Sequence, residues 1–343
     1  MEKIGMIGLD LAKSSFQVHL VDNSGRCVER RTLRRDKVLA FFASQPATVV
    51  VMEACGGAHF WAREIGRLGH ETKLIAAACV KPLIRRKKND AADAEAICEA
   101  ASRPNMRFVR SKSAEEQADA LAFRARDLLV RHRTQLINAL RGHCAEFGFV
   151  APTGARNVER LIAWLECEES LLPPSALLAL RSLIKSLHAL SGEIATIEKE
   201  IARRAKTSED ARRLMNVPRI GPLIATAICA LAPPADFFEN GRHFAAWLGL
   251  APRQNSAGGK ERLGAITKAG NQTLRRLLVI GAIAVVSKLD HNSALAGTWL
   301  ARLAARKPRK LVAVALANKM ARIVWALLAR KEVYRASPIP AAA

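Results

Sequence analysis

Four carboxylates have the types and spacing to do chemistry together. Asp10 ends an apolar, β-rich run, IGMIGLDL, and Glu53 ends a second, TVVVMEA. Asp90 and Asp93 lie in KKNDAADAEAICEA, a helix by composition, where i, i+3 spacing sets both on one face. Neighbouring strands run about 4.8 Å apart, so two strand-end carboxylates can face one ion if their strands are adjacent. Such a set offers the hard oxygen ligands that Mg²⁺ takes. Two such ions about 3.5–4 Å apart can activate the attacking oxygen and stabilise the leaving one in phosphodiester cleavage. Lys87 and Lys88, just before the acidic pair, suit a phosphate arriving there. Taken singly each acid is an ordinary surface group; their order along the chain is the informative feature.

Ser256 is the second candidate. It sits in a loop-like stretch, 251–272, with Gly258, Gly259, Gly264 and Gly270 inside, Gly249 at its edge, and Arg253, Lys260, Arg262 and Lys268 around it; Arg275 and Arg276 follow. A hydroxyl in an electropositive loop can attack a phosphodiester once a metal or base takes its proton. Loop serines more often hydrogen-bond their own backbone, so Ser256 alone decides nothing.

The elements that must position these groups change character along the chain. IGMIGLDL, FQVHLVD and RCVERRTLR read as three strands of hairpin type, with Asp22-Asn23-Ser24-Gly25 as a turn. A short helix over 36–45, the buried strand TVVVMEA, a helix closed by Gly69, the strand HETKLIAA and a further helix follow. This order is that of a ribonuclease-H-like fold, with a generic α/β sheet as the alternative. Beyond it the chain is almost all helix. Ser113 with Glu116 is a capping box opening a helix to about Gly148, which carries Arg124, Arg126, Arg131, Arg133 and Arg141. We assign Arg124, Arg131 and Arg133 to phosphate contact, against a merely solvated face. Leu180, Leu183, Leu187, Leu190, Ile194, Ile197 and Ile201 form a heptad seam, read as a self-association surface with an intramolecular helix pair as the alternative. Residues 214–231 resemble a helix–hairpin–helix, with Arg219 in its turn and a helix N-terminus that suits a phosphate oxygen. A helix–helix turn that binds nothing is the plain alternative.

Lys+Arg 54 against Asp+Glu 31 leave a net charge of +23, spread along the whole chain. Such self-repulsion points to a polyanionic partner, nucleic acid ahead of a membrane surface or acidic protein. No apolar run is read as a membrane span and no signal peptide is seen, which places the chain in the cytoplasm. Seven cysteines without a C-x-x-C pair read as reduced, mostly buried thiols rather than zinc ligands or disulfides.

GLDLAKSSF, VVMEACGGAHFWA, KNDAADAEAI, LLVRHRTQLINALRG, NVPRIGPLIA and WLGLAPRQNSAGGKERLGAITKAGNQTLRRLL together resemble the DEDD insertion-sequence transposases of the "one-ten" and "eleven-eleven" groups, the bridge-RNA-guided recombinases. The resemblance covers nearly the whole chain. It implies a RuvC-like nuclease domain with Asp10, Glu53, Asp90 and Asp93 as metal ligands and a C-terminal transposase domain. With the elements read above, this divides the chain into 1–150 for the nuclease domain, a helical coiled-coil linker over 151–207, a mainly helical transposase domain over 208–335, and a Pro/Ala tail over 336–343 that its composition marks as disordered. It also implies Ser256 as a nucleophile that joins covalently to DNA, donor and target DNA as substrates, a structured bridge RNA, and a homo-oligomer, dimer or tetramer. The sequence departs from the family at Ala257, where many relatives carry Ser or Thr, and at Arg219, where glycine is common. A RuvC-like endonuclease using water is the main rival, yet the basic C-terminal third and its glycine loop serve no purpose there. An actin-like or sugar-kinase-like ATPase lacks its second phosphate loop and adenosine motif here. An intact DEDD set argues against a catalytically dead binding module, and Tyr334 lies too near the tail to support tyrosine recombination.

Overall fold

The computed structural model describes residues 4–84, 90–154, 157–167, 172–255, 262–289 and 298–335, with the side chains of 90 and 91 excepted. Ser256, Lys87, Lys88, Lys260 and the 336–343 tail lie outside the described residues. The chain divides into two compact units, Met1–Ala118 and Asp119–Ala343. The sequence division at 150 thus falls inside the second unit.

The first unit is a six-stranded sheet: β1 (Ile4–Asp10), β2 (Ser15–Asp22), β3 (Cys27–Arg34), β4 (Val49–Glu53), β5 (Glu71–Ile75) and β6 (Phe108–Val109). Spatial order is β3-β2-β1-β4-β5-β6. β1 to β3 form an antiparallel meander, β1, β4 and β5 run parallel, and β6 closes the edge antiparallel. The order matches the ribonuclease-H-like expectation, with β6 as an element the sequence did not announce. Helices α1 (Val38–Ala43) and α2 (Ala58–Arg67) cover one face, over Ile7, Leu9, Val50 and Met52. Helices α3 (Ala77–Val80) and α4 (Asp90–Ala101) cover the other, over Met6, Val49, Val51 and Ile75. Both faces of the parallel strands are therefore buried, as their unbroken Val/Ile/Met runs require.

The second unit is helical. It holds α5 (Ala114–Glu146) from residue 119 onward, α6 (Val158–Cys167), α7 (Pro174–Thr207), α8 (Glu209–Met215), α9 (Pro222–Leu231), α10 (Gly241–Trp247), α11 (Gln272–Val286), α12 (Trp299–Ala304) and α13 (Arg309–Arg330). The capping box forms as read: Ser113 N–H donates to Glu116 Oε2 at 2.9 Å, and Glu116 N–H donates to Ser113 Oγ at 3.1 Å. The heptad seam, however, is used within the chain. Leu180, Leu187, Ile194 and Ile201 are each buried to 4 % exposure or less in a single copy. Leu180 and Leu187 pack with Leu140 and Cys144 of α5, and Ile201 packs with Phe123. Arg126 Nε donates to Glu198 across the same helix pair at 2.8 Å. This corrects the self-association reading of the seam: α5 supplies the apolar partner.

One further expectation changes. Of the seven free cysteines only Cys98 and Cys144 are buried, so the thiols are not mostly interior. α13 passes a length and mean-hydropathy test for a membrane span, as the core helix of a globular unit also does, although Asn318, Lys319 and Arg322 interrupt its apolar run. One of its faces is core, with Val312, Ala313, Ala317, Met320, Ala321, Val324 and Leu327 buried.

Candidate active site

Along β1 and β4, Leu9 stands opposite Met52 in parallel register, and one residue further stand Asp10 and Glu53. The condition left open by the sequence, that these strands be neighbours, is met. Side chains alternate along a strand. Leu9 and Met52 point to the α1/α2 core, so Asp10 and Glu53 share the opposite face, the one covered by α4. The two half-buried strand-end carboxylates thus look toward the helix that carries Asp90 and Asp93.

Gly8 sets how closely that helix approaches. A Cβ there would lie 2.5 Å from the Ala94 carbonyl oxygen and 2.6 Å from Cys98 Sγ. α4 therefore rests directly on the β1 backbone, one residue along from Asp93 and two before Asp10. Sequence reading passed over Gly8, although a glycine inside a strand marks a close backbone approach.

The electrostatics follow the geometry. Burial pushes the Glu53 carboxyl above its ordinary range, and the Asp93 charge raises it further. Burial also pushes up the Cys55 thiol, with the Glu53 and Asp10 charges adding to it. Glu53 thus feels Asp93, and Cys55 feels both strand-end acids. Asp90 lies on the first turn of α4, and its side chain is outside the described residues. Among the described residues no three His, Cys, Asp or Glu side chains draw together into a ready-made ion cage. The donor chemistry is nonetheless all oxygen, and the mutual repulsion is of the kind a divalent cation relieves.

The cations singled out from sequence have different surroundings. Arg124 and Arg131 are exposed on α5, and Arg133 is half-buried. Pro218 and Arg219 occupy the exposed turn between α8 and α9, closed by Ile220 N–H donating to the Val217 carbonyl at 3.0 Å. Arg219 has φ 67°, the left-handed region that favours glycine. That explains why a glycine is expected at this position.

The stretch 251–272 is more ordered than a glycine loop. It contains a hairpin, β7 (Pro252–Gln254) and β8 (Leu263–Ile266), joined by the connection that includes Ser256. Arg253, Arg262 and Lys268 are exposed on or beside it. Gly249 (φ 71°) and Gly270 (φ 66°) have no room for a Cβ against the backbones of Ala269 and Trp247 respectively. These two glycines seat the hairpin.

Arg275 and Arg276 turn inward to protein groups. Arg275 Nη1 donates to the carbonyls of Leu248 at 3.0 Å and Ala269 at 2.6 Å. Arg276 forms an ion pair with Asp127 of α5, which also accepts from the Thr273 hydroxyl. Asp127 is 7 % exposed, a buried acid that the sequence reading missed.

A transposase family model for the IS110 DEDD module matches residues 7–148, spanning all four acids, and the IS116/IS110/IS902 transposase family matches 211–296, spanning the hairpin. The chain is similar over its length to curated proteins. It is 48% identical to a Pseudomonas aeruginosa protein named "Probable family 20 transposase", over 97% of this chain and 99% of that one. The chain belongs to the IS110 family of DEDD-type transposases. It is also 38% identical to the transposase for insertion sequence element IS1328 of Yersinia enterocolitica, covering 97% and 99% of the two chains. The transposase for IS1111A of Coxiella burnetii is 39% identical to it, covering 98% and 92%. This transposase therefore acts on DNA.

Proposed function

We propose that the transposase cuts and rejoins DNA strands with Mg²⁺ held by Asp10, Glu53, Asp90 and Asp93. The observation that carries this reading is the parallel register placing Asp10 beside Glu53 on the α4 face, with Asp93 near enough to oppose Glu53 ionisation. When bound, the metal lowers the pKa of a coordinated oxygen and neutralises charge on the scissile phosphate. The protein's own part is to gather the carboxylates on a strand-and-helix frame despite their mutual repulsion.

Ser256, by family resemblance, is the nucleophile. Its hydroxyl oxygen bonds to phosphorus as the strand's ester bond breaks, its proton passes to a base, and the departing oxygen takes up a proton. The reverse attack by another strand end rejoins the DNA and frees the serine. Lys87, Lys88, Arg124, Arg131, Arg133, Arg219, Arg253, Lys260, Arg262 and Lys268 are assigned to phosphates, in keeping with the net charge of +23. Arg275 and Arg276 are better read as supports, since their guanidiniums hold the Leu248 carbonyl and Asp127. A structured bridge RNA that pairs with donor and target DNA, and a dimeric or tetrameric assembly, complete the reading; both rest on the family.

The test is incubation of the protein with Mg²⁺, donor-junction DNA, target DNA and RNA transcribed from the element's flanks. Recombinant product with a protease-sensitive protein–DNA adduct, both lost in Ser256→Ala and in Asp10→Ala, is expected. Cleavage that survives Ser256→Ala but not Asp10→Ala overturns the serine step and leaves an endonuclease that uses water.

A further inference from the structure

A hollow in the second unit lies between the β7–β8 hairpin and the face of α13 turned away from the core, with a volume of about 1530 Å³. Its floor is apolar, formed by residues such as Leu311 and Ile323, and Leu263 of the hairpin forms part of one wall. Arg242, Lys307, Lys310, Lys319 and Arg322 stand around it, all exposed, and no Asp or Glu lines it among the described residues. Trp299 lies at the rim, 40% exposed, with Lys319 Nζ 5.1 Å from its ring centre. The hollow accounts for the composition of α13, which serves an apolar face to the core and another to this groove.

Apolar floor, exposed indole and unopposed cations make a combination that neither a protein core nor a plain duplex-binding surface needs. A duplex presents phosphates and groove edges, whereas a single strand also presents base faces that stack on aromatic rings. We propose that this groove binds a single-stranded stretch of the DNA substrate, with one base stacked on Trp299 and the adjoining phosphates held by Lys307, Lys310, Lys319 and Arg322. The inference rests on the proposed function in one respect. The β7–β8 hairpin that forms one wall of the groove is joined, in sequence, through Ser256, the proposed point of strand attack. The groove is thereby assigned to the DNA strand next to the cut, ahead of RNA or a second copy of the chain.

The experiment measures binding of the full-length protein to a short fluorescent single-stranded oligodeoxynucleotide, its RNA counterpart and the matching DNA duplex. Trp299→Ala should weaken single-stranded DNA binding by about tenfold, as expected from base–aromatic stacking. Trp299→Phe should retain most of the affinity. Lys310→Glu, at an exposed position that leaves folding intact, should weaken the same binding and flatten its salt dependence. Saturating the wild type with the oligodeoxynucleotide should quench tryptophan emission, and Trp299→Phe should lose that part of the quenching. Unchanged single-stranded DNA affinity in Trp299→Ala and Lys310→Glu overturns the proposal. So does a loss confined to RNA, or a concentration-dependent self-association that Trp299→Ala abolishes. If those variants bind normally while wild type still cleaves in an Asp10-dependent way, the groove assignment alone fails. If wild type neither binds nor cleaves DNA, the reading beneath it fails as well.

Discussion

Replacing Gly8 by alanine adds one methyl group where α4 crosses β1. The new Cβ would lie 2.5 Å from the Ala94 carbonyl oxygen, against 3.4 Å for an ordinary contact. The Cys98 thiol can rotate away, but the helix backbone cannot, so α4 must retreat by about 0.9 Å. Overpacking of this kind costs about 1–3 kcal/mol, and each kcal/mol lowers Tm by about 4 °C in a unit of this size. The retreat moves Asp93 away from Asp10 and Glu53 without altering any acid. Misplacement of a catalytic group by about 1 Å can cost about 10²-fold in rate. Calorimetry and the rate of DNA cleavage at saturating Mg²⁺, below the melting range, separate the two effects. We expect a Tm loss and a rate loss of more than about tenfold. Gly8→Ala/Cys98→Ala should recover part of the stability but little of the rate, because the carbonyl clash remains. Wild-type melting and wild-type cleavage in Gly8→Ala would refute the packing argument. Lost stability with an undiminished rate would refute the link between α4 position and the site.

Other expectations follow from the same structure. Glu53→Gln removes an ionisation that burial and Asp93 oppose, so at neutral pH it should raise the Tm of metal-free protein while abolishing the Tm increase on adding Mg²⁺. A lower metal-free Tm would contradict this. Arg219→Gly relieves a left-handed side-chain position worth about 1 kcal/mol, so Tm should rise or hold while duplex binding weakens and its salt slope falls by about one. A clear drop in Tm would show that Arg219 makes contacts that outweigh its strain. Asp127→Ala leaves Arg276 and Thr273 without their carboxylate, and because Arg276 is 38% exposed the loss should be about 1–3 kcal/mol in denaturant titration. Burial raises the Glu116 carboxyl, but the Ser113 N–H and Arg110 outweigh it and hold the group below its usual range. The stability gap between wild type and Glu116→Gln should therefore be complete above pH 4.5, the ordinary value, and close as pH falls below it. A gap that widens in acid would reverse the assignment.

The sheet was legible because its strands are apolar and β-branched while their neighbours are not. The turn at 22–25 is written in Asp, Asn, Ser and Gly. Asp10 and Glu53 stood out for the same reason, as acids ending apolar runs. What escaped depended on contacts distant in sequence. A two-residue strand such as β6 has no periodicity to detect. The heptad pattern of α7 specifies an apolar stripe without saying whose helix covers it, and α5 of the same chain does. Asp127 was not singled out among the arginines of α5, whereas burial and Arg276 make it a tether. The glycines around the hairpin looked like freedom, yet Gly249 and Gly270 are tight backbone crossings.

The pairing of Leu9 with Met52 also constrains which length changes such a chain can accept. Deleting one residue within β1 or β4 turns the following side chain to the opposite face. Asp10 or Glu53 would then enter the α1/α2 core, and an apolar residue would take its place before α4. A single-codon deletion there does more damage than most point substitutions, since it removes a proposed ligand and buries a charge at once. The β2–β3 turn at 22–26 carries neither acid, and its exposed tip at Ser24 and Gly25 has room to lengthen. Insertions and deletions in natural variants should gather in that turn and avoid 4–10 and 49–53, a pattern that length comparison alone would reveal.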